Sequence, residues 1–410
     1  MRNMRGATRR QTAFCVLALL AALLNGCANK PTGSSSSSTT SGPAPIIVGE
    51  YGSMTGPQST FGVSTDNGVR LALDQANKAG GVHGHPVQLA EGHAMDDESK
   101  PDVTTTVVNK MTSQDNPTAV LGEVASTLSM TAAPVCQRAG IPMISPSSTN
   151  PKVTQYGDDI FRVCFIDQFQ GKAAAEFAYN NLKAKNAAVL TDIKSDYSTG
   201  LAQYFIQNFQ ALGGKIVSNP TYSAGALSFS AQLQQIKATN PDVIFVPGYY
   251  TDIGPIAKQA RSIGITVPFL GGDGWDSKDL VPGAGGPGGA LEGSFFTDHY
   301  SVNSPEPLVK SFVSAYEAAY HAGPPDAEAA LGYDAAGLLV AAMKSLPSPS
   351  DGNYASPAYR KQLRDAIAAT KNYKGVTGTI TIGPDRNAVK PVTVLKIVGS
   401  QFQLAATINP

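Results

Sequence analysis

Ala119-Val120-Leu121, Leu128-Ser129-Met130-Thr131-Ala132-Ala133-Pro134-Val135-Cys136-Gln137-Arg138-Ala139 and Ile141-Pro142-Met143-Ile144-Ser145 follow one another within a single short span. The outer two are short apolar runs of the kind that make strands buried on both faces, and the middle one is a helical stretch. Strand, helix, strand is the unit of a parallel sheet with a crossover helix, so this span commits the chain to an α/β architecture.

Upstream the same alternation runs back to Ile46-Ile47-Val48-Gly49, a short buried strand followed by a Gly/Ser/Thr/Pro loop over Gly52 to Gly62. A helix is predicted from Asp66 to Ala79, with Val69, Ala72, Leu73 and Ala76 on its core face and Gly80-Gly81 as its stop. Val87 to Ala90 reads as a strand and Val103 to Met111 as a helix. Downstream the pattern restarts after Ile166, which predicts a second lobe rather than a longer sheet. There Glu176–Leu182, Gly200–Leu212, Phe229–Ala238 and Asp252–Ile263 read as helices, and Ala187–Thr191, Lys215–Val217 and Val243–Val246 as strands. Phe295-Phe296 leads as a strand to helices at Leu308–His321 and Ala327–Ser345. Thr379–Ile382, Val392–Val398 and Phe402–Ala405 alternate as strands without crossover helices, the pattern of a sheet edge or interlobe ribbon.

The N-terminus carries a different message. Arg2, Arg5, Arg9 and Arg10 precede an apolar run from Phe14 to Leu24 that is too short to span a bilayer, the layout of an export signal. It ends in Leu24-Asn25-Gly26-Cys27, which resembles the lipobox of bacterial lipoproteins and makes Cys27 the candidate lipidated residue. Asn25 is an unusual occupant there, and ordinary cleavage leaving a free Cys27 is the alternative. Thr8-Arg9-Arg10 hints at a twin-arginine signal, but Thr12 and Ala13 do not supply the apolar residues expected next. Residues 1–26 are thus expected to be a signal peptide. Residues 27–45, a lipidated cysteine followed by Ser, Thr, Gly and Pro, are expected to form a flexible tether; about 18 residues of such coil span roughly 23 Å.

Composition excludes several function classes. Removing residues 1–26 takes four arginines and no acid from a chain of 31 basic and 31 acidic residues, leaving a formal charge of about −4 that recruits no nucleic acid. No later apolar stretch is long enough for a membrane span, and the length calls for two lobes. Beyond Cys15 and Cys27, only Cys136 and Cys164 remain, and two buried free thiols are expected in preference to one disulfide.

Gly52-Ser53-Met54-Thr55-Gly56-Pro57, Ala79-Gly80-Gly81-Val82, Ile144-Ser145-Pro146-Ser147-Ser148-Thr149-Asn150-Pro151, Phe161-Arg162 and Tyr333-Asp334-Ala335 occur in this order. In that order they resemble the leucine/isoleucine/valine-binding proteins, type I periplasmic binding proteins that serve ABC importers. The resemblance implies two doubly wound parallel-sheet lobes joined by three crossing strands, with crossings near Phe165–Ile166, Thr297–Tyr300 and Gly375–Thr379. Residues 46–165 with 298–376 would form one lobe, and 166–297 with 377–410 the other. It also implies a monomer that takes up a small ligand by hinged closure and hands it to an ABC permease.

Binding a zwitterionic amino acid needs donors for the carboxylate, acceptors for the ammonium and a wall for the side chain, all where strands end at a cleft. Gly122 to Ser129 follows a strand and opens a helix, so backbone N–H groups and the Ser126 hydroxyl suit a carboxylate. Ser148 and Thr149 occupy the equivalent loop after the next strand. The resemblance makes Ser126 the carboxylate-binding serine and has Ser148 and Thr149 add a backbone contact and a hydroxyl contact; read alone, each is as readily a helix cap. Asp273, in Gly271-Gly272-Asp273-Gly274-Trp275, is by itself a turn residue. The resemblance makes it the ammonium acceptor, one methylene shorter than the glutamate of well-known members. Tyr197 and Tyr249 match positions that cap the ligand from the second lobe, and Phe61 an aromatic at the side-chain end; Tyr250 and Trp275 are as readily core residues.

Other signals carry less. Gly283-Ala284-Gly285-Gly286-Pro287-Gly288 fits G-x-G-x-x-G by letter but lacks a preceding strand. His83, His85, His93, Asp96 and Asp97 lie around an exposed loop rather than in a metal-ligand spacing, so no metal or cofactor is expected. Without a Walker A loop, an H-E-x-x-H helix or a G-x-S-x-G elbow, an enzyme reading has no site. The expected function is capture of a branched-chain or other neutral amino acid outside the cytoplasmic membrane. A short-chain amide, urea or an aromatic acid as ligand, or a sensory module, are the alternatives.

Overall fold

The computed structural model describes residues 42–410; the signal segment, Cys27 and the tether up to Ser41 lie outside the described residues. Seven residues of near-continuous burial, Ile46–Gly52, form β1, an interior strand of the first sheet. Around it run β2 (Val87–Leu89), β3 (Met95–Asp96), β4 (Val120–Leu121), β5 (Met143–Ser145) and β6 (Ile160–Arg162), in the order β2-β1-β4-β5-β6 with β3 on the C-terminal end of β1. All pairings are parallel, and the crossovers are α1 (Ser59–Lys78), α2 (Pro101–Lys110) and α3 (Ser126–Ala139). The helix α1 starts seven residues before the expected Asp66. Its first turn contains Phe61, which is fully buried against Tyr250, and that packing outweighs the weak helix preference of a Ser-Thr-Phe-Gly segment.

The second sheet is built the same way from α4 (Asp167–Glu176), β7 (Asn186–Val189), β8 (Thr191–Asp192), α5 (Asp196–Ala211), β9 (Lys215–Ser218), β10 (Thr221–Tyr222), α6 (Ser230–Ala238), β11 (Val243–Val246), α7 (Tyr250–Ser262), β12 (Phe269–Gly271), the short α8 (Leu280–Gly283) and β13 (Phe295–Asp298). Strands β9, β7, β11, β12 and β13 are parallel neighbours in that order, while β8 and β10 form a separate parallel pair. Both faces are covered, one by Phe205 and Phe209 of α5, the other by Ile253 and Ile256 of α7, which is why these strands read as unbroken apolar runs.

After β13 the chain returns to the first lobe as α9 (Pro307–Tyr320), α10 (Ala327–Ser345), α11 (Pro357–Ala368) and the hairpin of β14 (Tyr373–Gly375) and β15 (Gly378–Ile380). It then crosses again to add β16 (Val392–Val398) and β17 (Gln401–Ile408) as an antiparallel edge on β13. Helix α10 lies close along α1: a Cβ on Gly68 would strike the carbonyl of Ala329, and one on Gly332 the carbonyl of Thr65. Helix α11 has no counterpart in the sequence reading. Ile380, Ile382 and Ala388 belong to the first lobe's core, so the third passage lies between Ala388 and Val392, later than the Gly375–Thr379 crossing implied by the resemblance. The hairpin β14–β15 packs back on α10 before the chain leaves.

The passages meet. Phe165, from the first, shares a small core with Val392 from the third, and its ring stacks on His299 of the second at 3.9 Å between centroids and 22° between planes. Cys136 and Cys164 are free and buried in separate cores, and burial pushes both thiols up to about 12.

Candidate functional site

In each sheet the strand order reverses beside β1 or β7, and loops at the C-terminal strand ends open there into a shared crevice. From the first lobe, α3 begins at Ser126 immediately after β4. Its N-cap, Ala125, offers no side-chain cap; the Ala125 N–H is taken by the buried Glu123 carboxyl and the Leu128 N–H by the Ala125 carbonyl at 3.0 Å, which leaves the N–H groups of Ser126 and Thr127 at the helix head. Ser126 is buried, its Oγ accepting from the Asn150 N–H at 3.2 Å. After β5, Ser147 and Thr149 face the crevice while Ser148 does not. The Ser148 hydroxyl sits 2.7 Å from Ser129 Oγ and 2.8 Å from the Val124 carbonyl, and its N–H donates to Ser145 Oγ at 3.0 Å. The Ser148 side chain therefore locks the two loops together, and its neighbour Ser147 lines the void instead.

From the second lobe, Asp273 follows β12. Its Oδ1 accepts from Tyr197 Oη at 2.7 Å and from Gln170 Nε2 at 2.8 Å, and its Oδ2 lies 2.9 Å from His299 Nε2. The flanking glycines serve this network: a Cβ on Gly271 would collide with the Trp275 ring, and one on Gly272 with the Tyr197 hydroxyl. Tyr197 stacks on Tyr249 at 5.2 Å and 27°, and Tyr249 meets Phe61 edge-on at 6.1 Å, so the aromatic wall spans both lobes. Trp275 is core, its Nε1 donating to the Val246 carbonyl at 3.0 Å, and Tyr250 packs behind Phe61.

Phe61, Ser126, Thr149, Tyr197, Tyr249 and Asp273 thus come together around one void, with Ser148 the exception. Sequence reasoning missed Val124, Ser147, Gly274 and Glu328, which line the same void, and Gln170 and His299, which hold Asp273. Glu328 had a readable signal, a buried acid in the first turn of the largely apolar run Ala327–Met343. The space enclosed is only about 10 Å³, roughly one water, so an amino acid enters only when the lobes part. Besides the packing of Phe61 on Tyr249 and Tyr250, polar contacts cross between the lobes: Thr127 Oγ1 to Asp196 Oδ2 at 3.1 Å, Asn150 Nδ2 to the Asp196 carbonyl at 2.8 Å, Thr60 to Ser277 at 3.0 Å, and the Ala327 N–H to Asp276 Oδ2 at 2.7 Å. A larger groove of about 960 Å³ beside α9 contains none of the expected ligand residues.

Burial sets the electrostatics. It pushes the carboxyls of Glu328 and Asp167 well above the usual carboxylate range, helped by the nearby Asp273, and raises the Tyr197 phenol likewise. His299 is pulled below its ordinary value by the same burial, which leaves a neutral ring donating from Nε2. The crevice therefore sets the N–H groups at the head of α3 in one lobe against the Asp273 carboxyl in the other, with an aromatic wall between. Away from it, His83 bonds the Leu346 carbonyl, His85 that of Ala44 and His93 that of Ala94, each at 2.8 Å. The Gly283–Gly288 stretch follows α8 rather than a strand.

Residues 45–401 match the model of the family described as periplasmic binding protein. An amino acid binding protein of Pseudomonas aeruginosa is 35% identical over 245 residues, 60% of this chain; the match spans 64% of that relative, just under two thirds of its length. Among solved structures, a leucine-binding protein of Thermotoga maritima superposes with a TM-score of 0.81 at 36% identity, covering 89% of this chain and 99% of the other. A branched-chain amino acid transporter substrate-binding protein of Streptococcus pneumoniae, solved in complex with isoleucine, gives 0.81 at 31%, covering 89% and 100%.

Proposed function

The chain belongs to the periplasmic binding protein family, and on that premise we propose that it captures a neutral amino acid, the branched-chain ones being the first class to test, and delivers it to an ABC permease. The observation that supports this reading is the pairing, across one closing crevice, of the uncapped head of α3 with the Asp273 carboxyl on the other lobe. A zwitterion fits that polarity: its carboxylate meets the N–H groups and hydroxyls of Ser126 and Thr149, and its ammonium meets Asp273. Tyr197, Tyr249 and Phe61 seal the side-chain end. Closure follows because the ligand bonds both lobes and so binds the closed form better than the open one.

The protein acts by binding, not by catalysis, as a monomer held outside the cytoplasmic membrane by a lipid on Cys27. A thermal-shift screen of the purified protein against the common amino acids, amides and urea tests the ligand class, with Asp273→Ala in parallel. A ligand at 100 times its Kd stabilises by about 2.7 kcal/mol. A shift with an amino acid that disappears in Asp273→Ala supports the reading, and a shift only with ligands lacking an amine overturns it.

A further inference from the structure

The void has a second acid. Glu328, 2% exposed, lines it from the first lobe, and Asp273 lines it from the second. The two carboxyls are provided for differently. Asp273 receives three hydrogen bonds from within the protein. The buried Asp334, a structural acid, receives the N–H of Val376 at 2.7 Å and of Thr377 at 2.9 Å with the Thr377 hydroxyl at 2.6 Å. Among the described residues, Glu328 receives one, from the Ser147 hydroxyl at 2.5 Å, and that donor lines the void as well.

A role in stabilising α10 does not account for it. The head of that helix already has two carboxyls: Asp326 accepts from the Ala329 N–H at 3.0 Å and Asp276 from the Ala327 N–H at 2.7 Å. A third acid there meets repulsion from both as well as the cost of burial, and both push its carboxyl well above the usual range. An under-bonded carboxyl kept in such a place, on the wall of the crevice, has the chemistry of a ligand contact.

We propose that Glu328 reads the ligand's side chain, selecting amino acids whose side chain carries a hydrogen-bond donor over aliphatic ones of the same shape. This rests on the amino-acid reading above and narrows it. The donor is a hydroxyl, a carboxamide or an ammonium, shared chemistry that matched ligand pairs separate. An apolar pocket discriminates weakly against an added hydroxyl, whereas a site built around a buried acceptor penalises a ligand that leaves the acceptor unpaired.

The test is the ratio of dissociation constants, by calorimetry, for threonine against valine, asparagine against leucine, and lysine against norleucine. It is measured for the wild-type protein, Glu328→Gln and Glu328→Leu, with a melting curve of each to establish folding. The expected result is a wild-type preference of tenfold or more for the donor-bearing member of at least one pair. Glu328→Gln narrows that preference and Glu328→Leu reverses it; the pair that responds tells a neutral donor from a charged one. Tighter wild-type binding of the aliphatic member in every pair overturns the inference and leaves amino-acid binding standing, as does an unchanged ratio in whichever variants fold. Failure of a folded wild-type protein to bind any of the six overturns the amino-acid reading and this inference together.

Discussion

Nε2 of His299 lies 2.9 Å from Oδ2 of Asp273, joining a segment that passes between the lobes to the acid that faces the crevice. The ring stacks on Phe165 of another passage, which in turn packs with Val392 of the third. The neutral ring donates to Asp273 from Nε2 and leaves Nδ1 without a partner among the described residues. Asp273 is thus tied directly to the cluster where the passages between the lobes meet.

Replacing His299 by Phe keeps the stack on Phe165 and removes the donor. Asp273 then loses one of three hydrogen bonds, at a cost of about 1.5–3 kcal/mol for a bond to a charged acceptor. Thermal melting of His299→Phe should show that loss, and the amino-acid affinity should fall with it.

Tyr197→Phe isolates the other side of the network. The stack on Tyr249 survives, but Asp273 Oδ1 loses the 2.7 Å hydroxyl and the Gly274 N–H its acceptor at 3.2 Å. We expect about 1.5–3 kcal/mol less stability and an affinity weakened up to about tenfold, read from melting and titration of the variant.

A methyl group at position 272 has nowhere to go, because it would overlap the Tyr197 hydroxyl. Overpacking of this kind costs about 1–3 kcal/mol. Gly272→Ala should melt earlier and bind more weakly than the wild type, whereas Gly42→Ala, at a site with open space and no left-handed backbone, should leave both unchanged.

Stability should decline as pH rises between about 6.5 and 8. Glu123 is buried beside Asp97 and is pushed from 4.5 up to about 8, and Asp276 from 3.8 up to about 7, burial being the main cause in both. The folded state thus holds protons that the unfolded chain has released, and each group's contribution is lost as pH climbs through its folded value. The lowered His299 works the other way only below its ordinary 6.5, and Lys390, drawn down to about 8, only above that. Ser53 Oγ, 2.8 Å from Glu123 Oε1 and 3.0 Å from Asp97 Oδ1, has one proton for two acids, which fits a proton retained on the pair. Melting temperatures across this range should fall for the wild type and fall less steeply for Glu123→Gln.

Legibility in the sequence followed locality. Ala327–Ser345 was read to the residue because burial runs along the whole helix, and the restart after Ile166 marks a real second sheet. Helix α11 escaped notice although Ser356 caps it, Pro357 opens it and Tyr359, Leu363 and Ile367 repeat every fourth residue; a short amphipathic helix between loops gives a weak periodic signal. The crevice residues that were legible sit just after strands, where position alone suggests exposure to a ligand. Those that were not depend on distance in space: Gln170 reaches Asp273 from 103 positions away, and Ser147 reaches Glu328 from 181. Ser148 and Ser147 differ only in which way a turn points them, which adjacent identical residues cannot reveal.

Isothermal titration of the folded protein with the common L-amino acids tests the central claim most directly. The account predicts one-to-one binding of at least one of them near micromolar Kd, with a negative heat-capacity change as Phe61, Tyr197 and Tyr249 close over the side chain. Absence of binding by any of them at millimolar concentration, with the melting temperature unmoved, would contradict it.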